Sequence, residues 1–189
     1  MLPILSNDRA KDTAGPPGAP VLAHLPGHLI DSHGRTIRDL RLSITDRCNF
    51  RCVYCMDPDF RYMPKTQLLS LDEYVRLVRI CLGLGIEKVR LTGGEPTLYP
   101  HLNELITKLG ELNPTISDMA MTTNGSLLGK MPVKQWRRDG LRRITLSLDS
   151  LRPERVQAIT RTSATAASVI EAIHVAHEAG FRPIKVNAV

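Results

Sequence analysis

The sequence predicts an α/β fold, a partial, open (β/α) barrel of about five parallel strands, on three observations. Strand-like and helix-like segments alternate from Arg38 onward, the order that gives parallel strands joined by right-handed helical crossovers. Each strand-like segment splits into an apolar and a polar face, whereas parallel strands covered on both sides read as continuous Val, Ile and Leu. Helix caps fall where the alternation needs its breaks. If helices cover the apolar faces, the polar faces look inward together and line a wet cavity, unlike the aliphatic interior of a closed eight-stranded barrel. An ordinary doubly wound sheet is the alternative.

The elements follow in order. Residues 1–35 include Ala14-Gly15-Pro16-Pro17-Gly18-Ala19-Pro20 and show no period, so a flexible Pro/Gly-rich tail is expected there and a core domain over 36–189. In the first strand, 39–45, Leu40, Leu42 and Ile44 alternate with Arg41, Ser43 and Thr45. A helix over 71–82 opens on the capping box of Ser70 and Glu73 and stops at Gly83 and Gly85. Cys81 falls at core spacing with Leu71, Val75 and Val78 on that helix. The second strand, 87–92, sets Val89 and Leu91 against Arg90 and Thr92. A helix over 101–112 leads to the third strand, 118–123, with Met119 and Met121 on its apolar face. The helix over 132–139 carries Trp136, expected between helix and sheet, and a solvated Arg137-Arg138 pair. The fourth strand, 143–149, alternates Ile144, Leu146 and Leu148 with Thr145, Ser147 and Asp149, after a solvated Arg142-Arg143. A last helix over 165–179 ends at Gly180, and the strand over 183–189 sets Ile184 and Val186 against Lys185 and Asn187.

With 189 residues and 42% hydrophobic content, the chain can bury one core. It has no secretory signal and no run near the roughly 20 apolar residues of a membrane span, so a soluble, cytoplasmic protein with no membrane partner is expected. The net charge of +6 is dispersed and comes with only 4% aromatics, a pattern that disfavours nucleic acid and suits an anionic small substrate.

Three of the four cysteines stand in Cys48-Asn49-Phe50-Arg51-Cys52-Val53-Tyr54-Cys55, directly after the first strand. Disulfide frameworks spread their cysteines, so this CxxxCxxC spacing points to a metal or redox centre. Structural zinc wants four protein ligands, and neither His33 nor His101 is near in sequence. A [4Fe–4S] cluster on three cysteines leaves one iron free for an exogenous ligand. Zinc and a chance thiol cluster both stay open on these residues alone. After the second strand, Thr92-Gly93-Gly94-Glu95-Pro96 offers either a plain turn or a backbone that lets a ligand approach closely, with a carboxylate on the same rim.

The cysteine loop at the end of a first strand, followed by this GGEP segment, resembles the radical S-adenosylmethionine superfamily. Within it, Gly34 to Cys52, Lys88 to Pro96, Thr122-Thr123-Asn124-Gly125, Gly140 to Ile144, Ser147-Leu148-Asp149 and Lys185-Val186-Asn187 are similar to the family of GTP 3′,8-cyclases that begin molybdenum cofactor synthesis. The resemblance implies the partial barrel of the radical S-adenosylmethionine type, with Cys48, Cys52 and Cys55 on the cluster. It implies Tyr54, Gly93, Gly94, Glu95 and Ser147 at the S-adenosylmethionine site, and Arg41, Arg90, Thr122 and Lys185 around GTP. The strand pattern independently puts Arg41, Arg90, Ser147 and Lys185 on inward faces. The implied reaction is hydrogen abstraction from the ribose C3′ of GTP by a 5′-deoxyadenosyl radical and joining of C3′ to purine C8, with a reducing electron donor as partner.

The family continues with a sixth strand and a carboxy-terminal region carrying a second cluster. The expectation is therefore a truncated or split form, a missing carboxy-terminal segment as partner, weak cluster binding and little cyclised product from the fragment alone. Met56-Asp57-Pro58 also departs from the family, which commonly has Met directly before Pro. A peptide-modifying maturase of the same superfamily and a non-catalytic metal-binding fragment are the competing readings.

Overall fold

The computed structural model describes residues 27–57, 59–112 and 115–189. Five strands form one sheet in the order β1-β2-β3-β4-β5: β1 (Asp39–Ser43), β2 (Lys88–Thr92), β3 (Asp118–Thr123), β4 (Leu141–Ser147) and β5 (Lys185–Asn187). Every neighbouring pair is parallel. A doubly wound sheet would reverse its strand order at a switch point; this order never reverses, so the chain winds one way with its helices on one face. Strands β1 and β5 are both edges, and the barrel is open.

The helices are α1 (Leu71–Gly83), α2 (Leu102–Gly110), α3 (Val133–Arg138), α4 (Pro153–Thr160) and α5 (Ala166–Glu178). Helix α1 starts on the expected capping box: Ser70 Oγ accepts the Glu73 N–H, and Glu73 accepts the Ser70 N–H at 2.7 Å. The apolar strand faces meet the helices in a core that includes fully buried Leu91, Leu105, Ile106, Met119, Met121 and Ile144, each contributing about 1.5–3 kcal/mol by leaving water. Cys81 on α1 is half-buried. Among the described residues no helix is long and apolar enough to cross a membrane.

Trp136 is 0% exposed, and its Nε1–H donates to Asn103 Oδ1 at 2.7 Å. Asn103→Ala should therefore cost about 1 kcal/mol, the penalty for a buried donor left to weak solvation. The check is the urea midpoint against Asn103→Gln as the partial rescue.

Three details differ from the sequence pattern. Helix α4 was not expected, because only Val156 and Thr160 of it are buried and so few apolar positions leave no helical period. Strand β4 starts two residues early, since a register shift between Met119 and Ala120 pairs Met119 with Leu141 and Ala120 with Arg143. Arg142 sits in that irregularity, Arg143 turns to the sheet's polar face and ion-pairs with Asp118, and both are exposed as expected. Residues 1–26 of the expected tail lie outside the described residues, but 27–35 are anchored. Leu29 N–H donates to Leu84 O at 3.0 Å, Ile30 bridges Thr36, and Asp31 caps a turn closed by Gly34 at φ +76, turn chemistry that Asp and Gly supply at those places.

Candidate functional site

The carboxyl ends of β1 to β4 open into one cavity of about 250 Å³, where open α/β sheets place their ligands. Its wall brings together Cys48, Cys52, Tyr54 and Cys55 from the loop after β1 with Gly93, Gly94 and Glu95 from the loop after β2. Arg41, Thr122 and Ser147 also line it. Arg90 and Lys185 do not.

The cysteine loop is held from three sides. Arg51 N–H and Val53 N–H donate at 2.9 Å to the carbonyls of Thr160 and Ile159, so the last turn of α4 uses its orphan acceptors to grip the loop. The Arg51 guanidinium donates to the Cys48 and Phe50 carbonyls at 2.7 and 2.8 Å, and Tyr62 Oη donates to the Cys48 carbonyl at 3.1 Å. Arg47 and Arg51 both stand over the Tyr62 ring, 5.1 and 5.3 Å from its centroid. On the side of β3, Asn124 Nδ2 donates to Asn49 Oδ1 at 2.9 Å and Asn49 Nδ2 to Ser126 Oγ at 2.8 Å.

All three thiols are free, Cys48 and Cys52 half-buried and Cys55 exposed. Burial pushes the Cys48 and Cys52 thiols up, and neighbouring negative charge, including the other cysteines, pushes them further. Among the described residues no three His, Cys, Asp or Glu side chains are drawn into a closed metal-binding group, so the thiols share a wall without converging on a point. Three soft thiol donors on one cavity wall fit a cationic cluster of soft metal, since thiolates brought together need positive charge between them.

The glycine pair has a different first use from the one its sequence suggests. A Cβ on Gly93, at φ +153, would stand 2.4 Å from the Thr45 carbonyl, and one on Gly94 would stand 2.3 Å from the Arg47 carbonyl. Glycine here lets the loop after β2 lie directly on the backbone of the cysteine loop, with Gly94 N–H on Thr45 O and Glu95 N–H on Arg47 O, both at 2.7 Å.

Glu95 is 1% exposed and turned into this joint. Its Oε1 accepts Thr97 N–H at 3.0 Å and the Thr97 and Thr123 hydroxyls at 2.6 Å each, and Oε2 accepts Asn124 N–H at 2.7 Å. Four donors on one buried carboxylate tie the loops after β2 and β3 together. Glu95→Gln turns an amide N–H toward one of those donors, and a loss of about 1–3 kcal/mol is expected, measured as a lower urea midpoint with unchanged m-value.

The cationic residues stand at two levels of the concave face, Arg41 and Arg90 at one and Lys185 two residues further along the strands. Register aligns Arg41 with Arg90, and Thr145 with both Thr122 and Lys185. Arg90 reaches across two strands to donate to Thr122 Oγ1 at 3.3 Å and Thr145 Oγ1 at 3.4 Å. Lys185 is exposed on the edge strand. Residues that sequence reasoning left without a role are Asn49, Thr123, Asn124 and Asp149. The motifs Thr122 to Gly125 and Ser147 to Asp149 contain the last three, and the hydrogen-bonding capacity of Asn and Asp in loops is the signal that could have found them. Asp149 Oδ2 accepts the Tyr54 hydroxyl at 2.7 Å.

Comparisons with known proteins agree with this geometry. Residues 42–189 match the family model of the radical SAM superfamily. The chain is 48% identical over 161 residues to a GTP 3′,8-cyclase of Marinobacter nauticus, covering 85% of this chain and 48% of that protein. It is 45% identical over 164 residues to a GTP 3′,8-cyclase of Acidothermus cellulolyticus, covering 84% of this chain and 45% of that protein. The chain thus spans about half the length of the curated relatives it matches. Among solved structures, Streptococcus suis SuiB bound to S-adenosylmethionine superposes with a TM-score of 0.67 at 21% identity, over 79% of this chain and 33% of that one, a likeness of fold. The superfamily implies a [4Fe–4S] cluster and S-adenosylmethionine as cofactors. With its one-way parallel sheet, its cysteine loop at the end of β1 and this match over most of its length, the chain belongs to the radical S-adenosylmethionine superfamily.

Proposed function

We propose that this chain is the cluster-bearing, cofactor-cleaving part of a GTP 3′,8-cyclase. The observation that carries the reading is a shared surface: three free thiols and a glycine-joined loop border the cavity at the strand ends, and Arg41 and Arg90 continue it along the concave face. A cluster held by Cys48, Cys52 and Cys55 would supply the electron for reductive cleavage of S-adenosylmethionine, the chemistry that would begin hydrogen abstraction from the ribose C3′ of GTP and its joining to C8.

The chain's own residues bind, orient and shield. Cys48, Cys52 and Cys55 hold the cluster. Tyr54, Gly93, Gly94, Glu95 and Ser147 frame the S-adenosylmethionine site, with Glu95 fixing the frame from behind. Arg41, Arg90, Thr122 and Lys185 take GTP, because guanidinium forks match phosphate oxygens and a half-enclosed cleft strengthens each contact. A one-electron reducing partner and the reducing cytoplasm suit this chemistry. The other half of the relatives' length is proposed to supply further purine contacts.

The test is anaerobic reconstitution with iron and sulfide, then reduction in the presence of S-adenosylmethionine and GTP deuterated at C3′. About four irons per chain and deuterium transferred into 5′-deoxyadenosine support the reading. A single zinc with no sulfide overturns it. So does 5′-deoxyadenosine free of deuterium.

A further inference from the structure

Asp149 follows β4 at the cavity wall and belongs to none of the assignments above. Its Oδ2 accepts the Tyr54 hydroxyl at 2.7 Å, and its Oδ1 accepts the Val189 N–H at 3.0 Å. One carboxylate therefore joins the cysteine loop, the end of β4 and the segment after β5. Among the described residues Tyr54 makes the only geometrically complete side-chain hydrogen bond of the turn from Cys52 to Cys55.

A phenol has one proton and gives it to one acceptor, here a carboxylate at charge-assisted distance. We propose that Asp149 is a positioning residue for the cysteine loop, holding the Cys52 to Cys55 turn against β4 through the Tyr54 hydroxyl. The effect concerns the chain alone and does not depend on what the thiols bind.

Amide hydrogen exchange on the metal-free chain tests this role. The Cys55 and Met56 amides, which donate to the Cys52 carbonyl at 3.0 and 3.2 Å, should exchange about tenfold faster in Asp149→Ala and in Tyr54→Phe, the scale of one charge-assisted hydrogen bond. The β2 amides should keep their rates in both. Unchanged exchange at Cys55 and Met56 overturns the positioning role, and so does equal acceleration throughout the sheet.

Discussion

Cys48→Ser, Cys52→Ser and Cys55→Ser are each expected to lower S-adenosylmethionine cleavage by more than about 100-fold and to leave the reconstituted chain short of iron. Loss of a partner that merely orients a ligand costs about 10- to 100-fold, so loss of a ligand sets that range as the floor. A serine hydroxyl does not ionise near neutral pH and is a hard donor where iron–sulfur chemistry wants a soft thiolate. Rescue from within the fold is blocked by geometry. The remaining cysteine, Cys81, is carried by α1 on the helical side of the sheet and does not line the cavity. Cys81→Ser is the control and should retain full iron and sulfide. Iron, sulfide and 5′-deoxyadenosine are measured together, and a Cys48→Ser chain that keeps four irons and full cleavage sinks the cluster assignment.

What the sequence made legible, and what it hid, divides along a physical line. Alternation such as Leu40, Leu42 and Ile44 against Arg41, Ser43 and Thr45 records a contest between burial and solvation that each strand settles locally, so the one-way sheet and its polar concave face could be read directly. The CxxxCxxC loop is equally local. Helix α4 is not, since its sequence is polar on nearly every side and its value to the molecule lies in two carbonyls offered to Arg51 and Val53, about a hundred positions earlier in the chain. The same holds for Glu95. As a carboxylate beside two glycines it reads as a ligand-facing group, yet two donors from Thr97 and two from Thr123 and Asn124, nearly thirty positions later, turn it inward. Pairings across such separations leave no period in a single sequence. Only the capacity of Asn, Asp, Thr and Glu to satisfy stray backbone groups hints at them.

Arg90→Ala is expected to weaken GTP binding by about 100-fold while leaving the fold and the binding of S-adenosylmethionine nearly unchanged. The side chain lies half-buried on the concave face, and its partners are two hydroxyls at 3.3 and 3.4 Å, long contacts that contribute little to stability. Among the described residues no carboxylate within 4 Å neutralises it, in contrast to Arg143, which Asp118 holds. Its charge and most of its donors are thus uncommitted and aligned with Arg41. A charged hydrogen bond contributes about 1.5–3 kcal/mol, so the net loss of one such bond accounts for the expected factor. Arg90→Lys keeps the charge but loses the bidentate geometry, so an intermediate loss follows. Guanosine, which lacks the phosphates, should bind the natural and Arg90→Ala chains alike. Calorimetric titration of GTP and guanosine into each variant reads all three outcomes. If Arg90→Ala bound GTP as tightly as the natural chain, or lost guanosine and GTP in equal measure, the Arg41 and Arg90 pair would not be where the triphosphate lies.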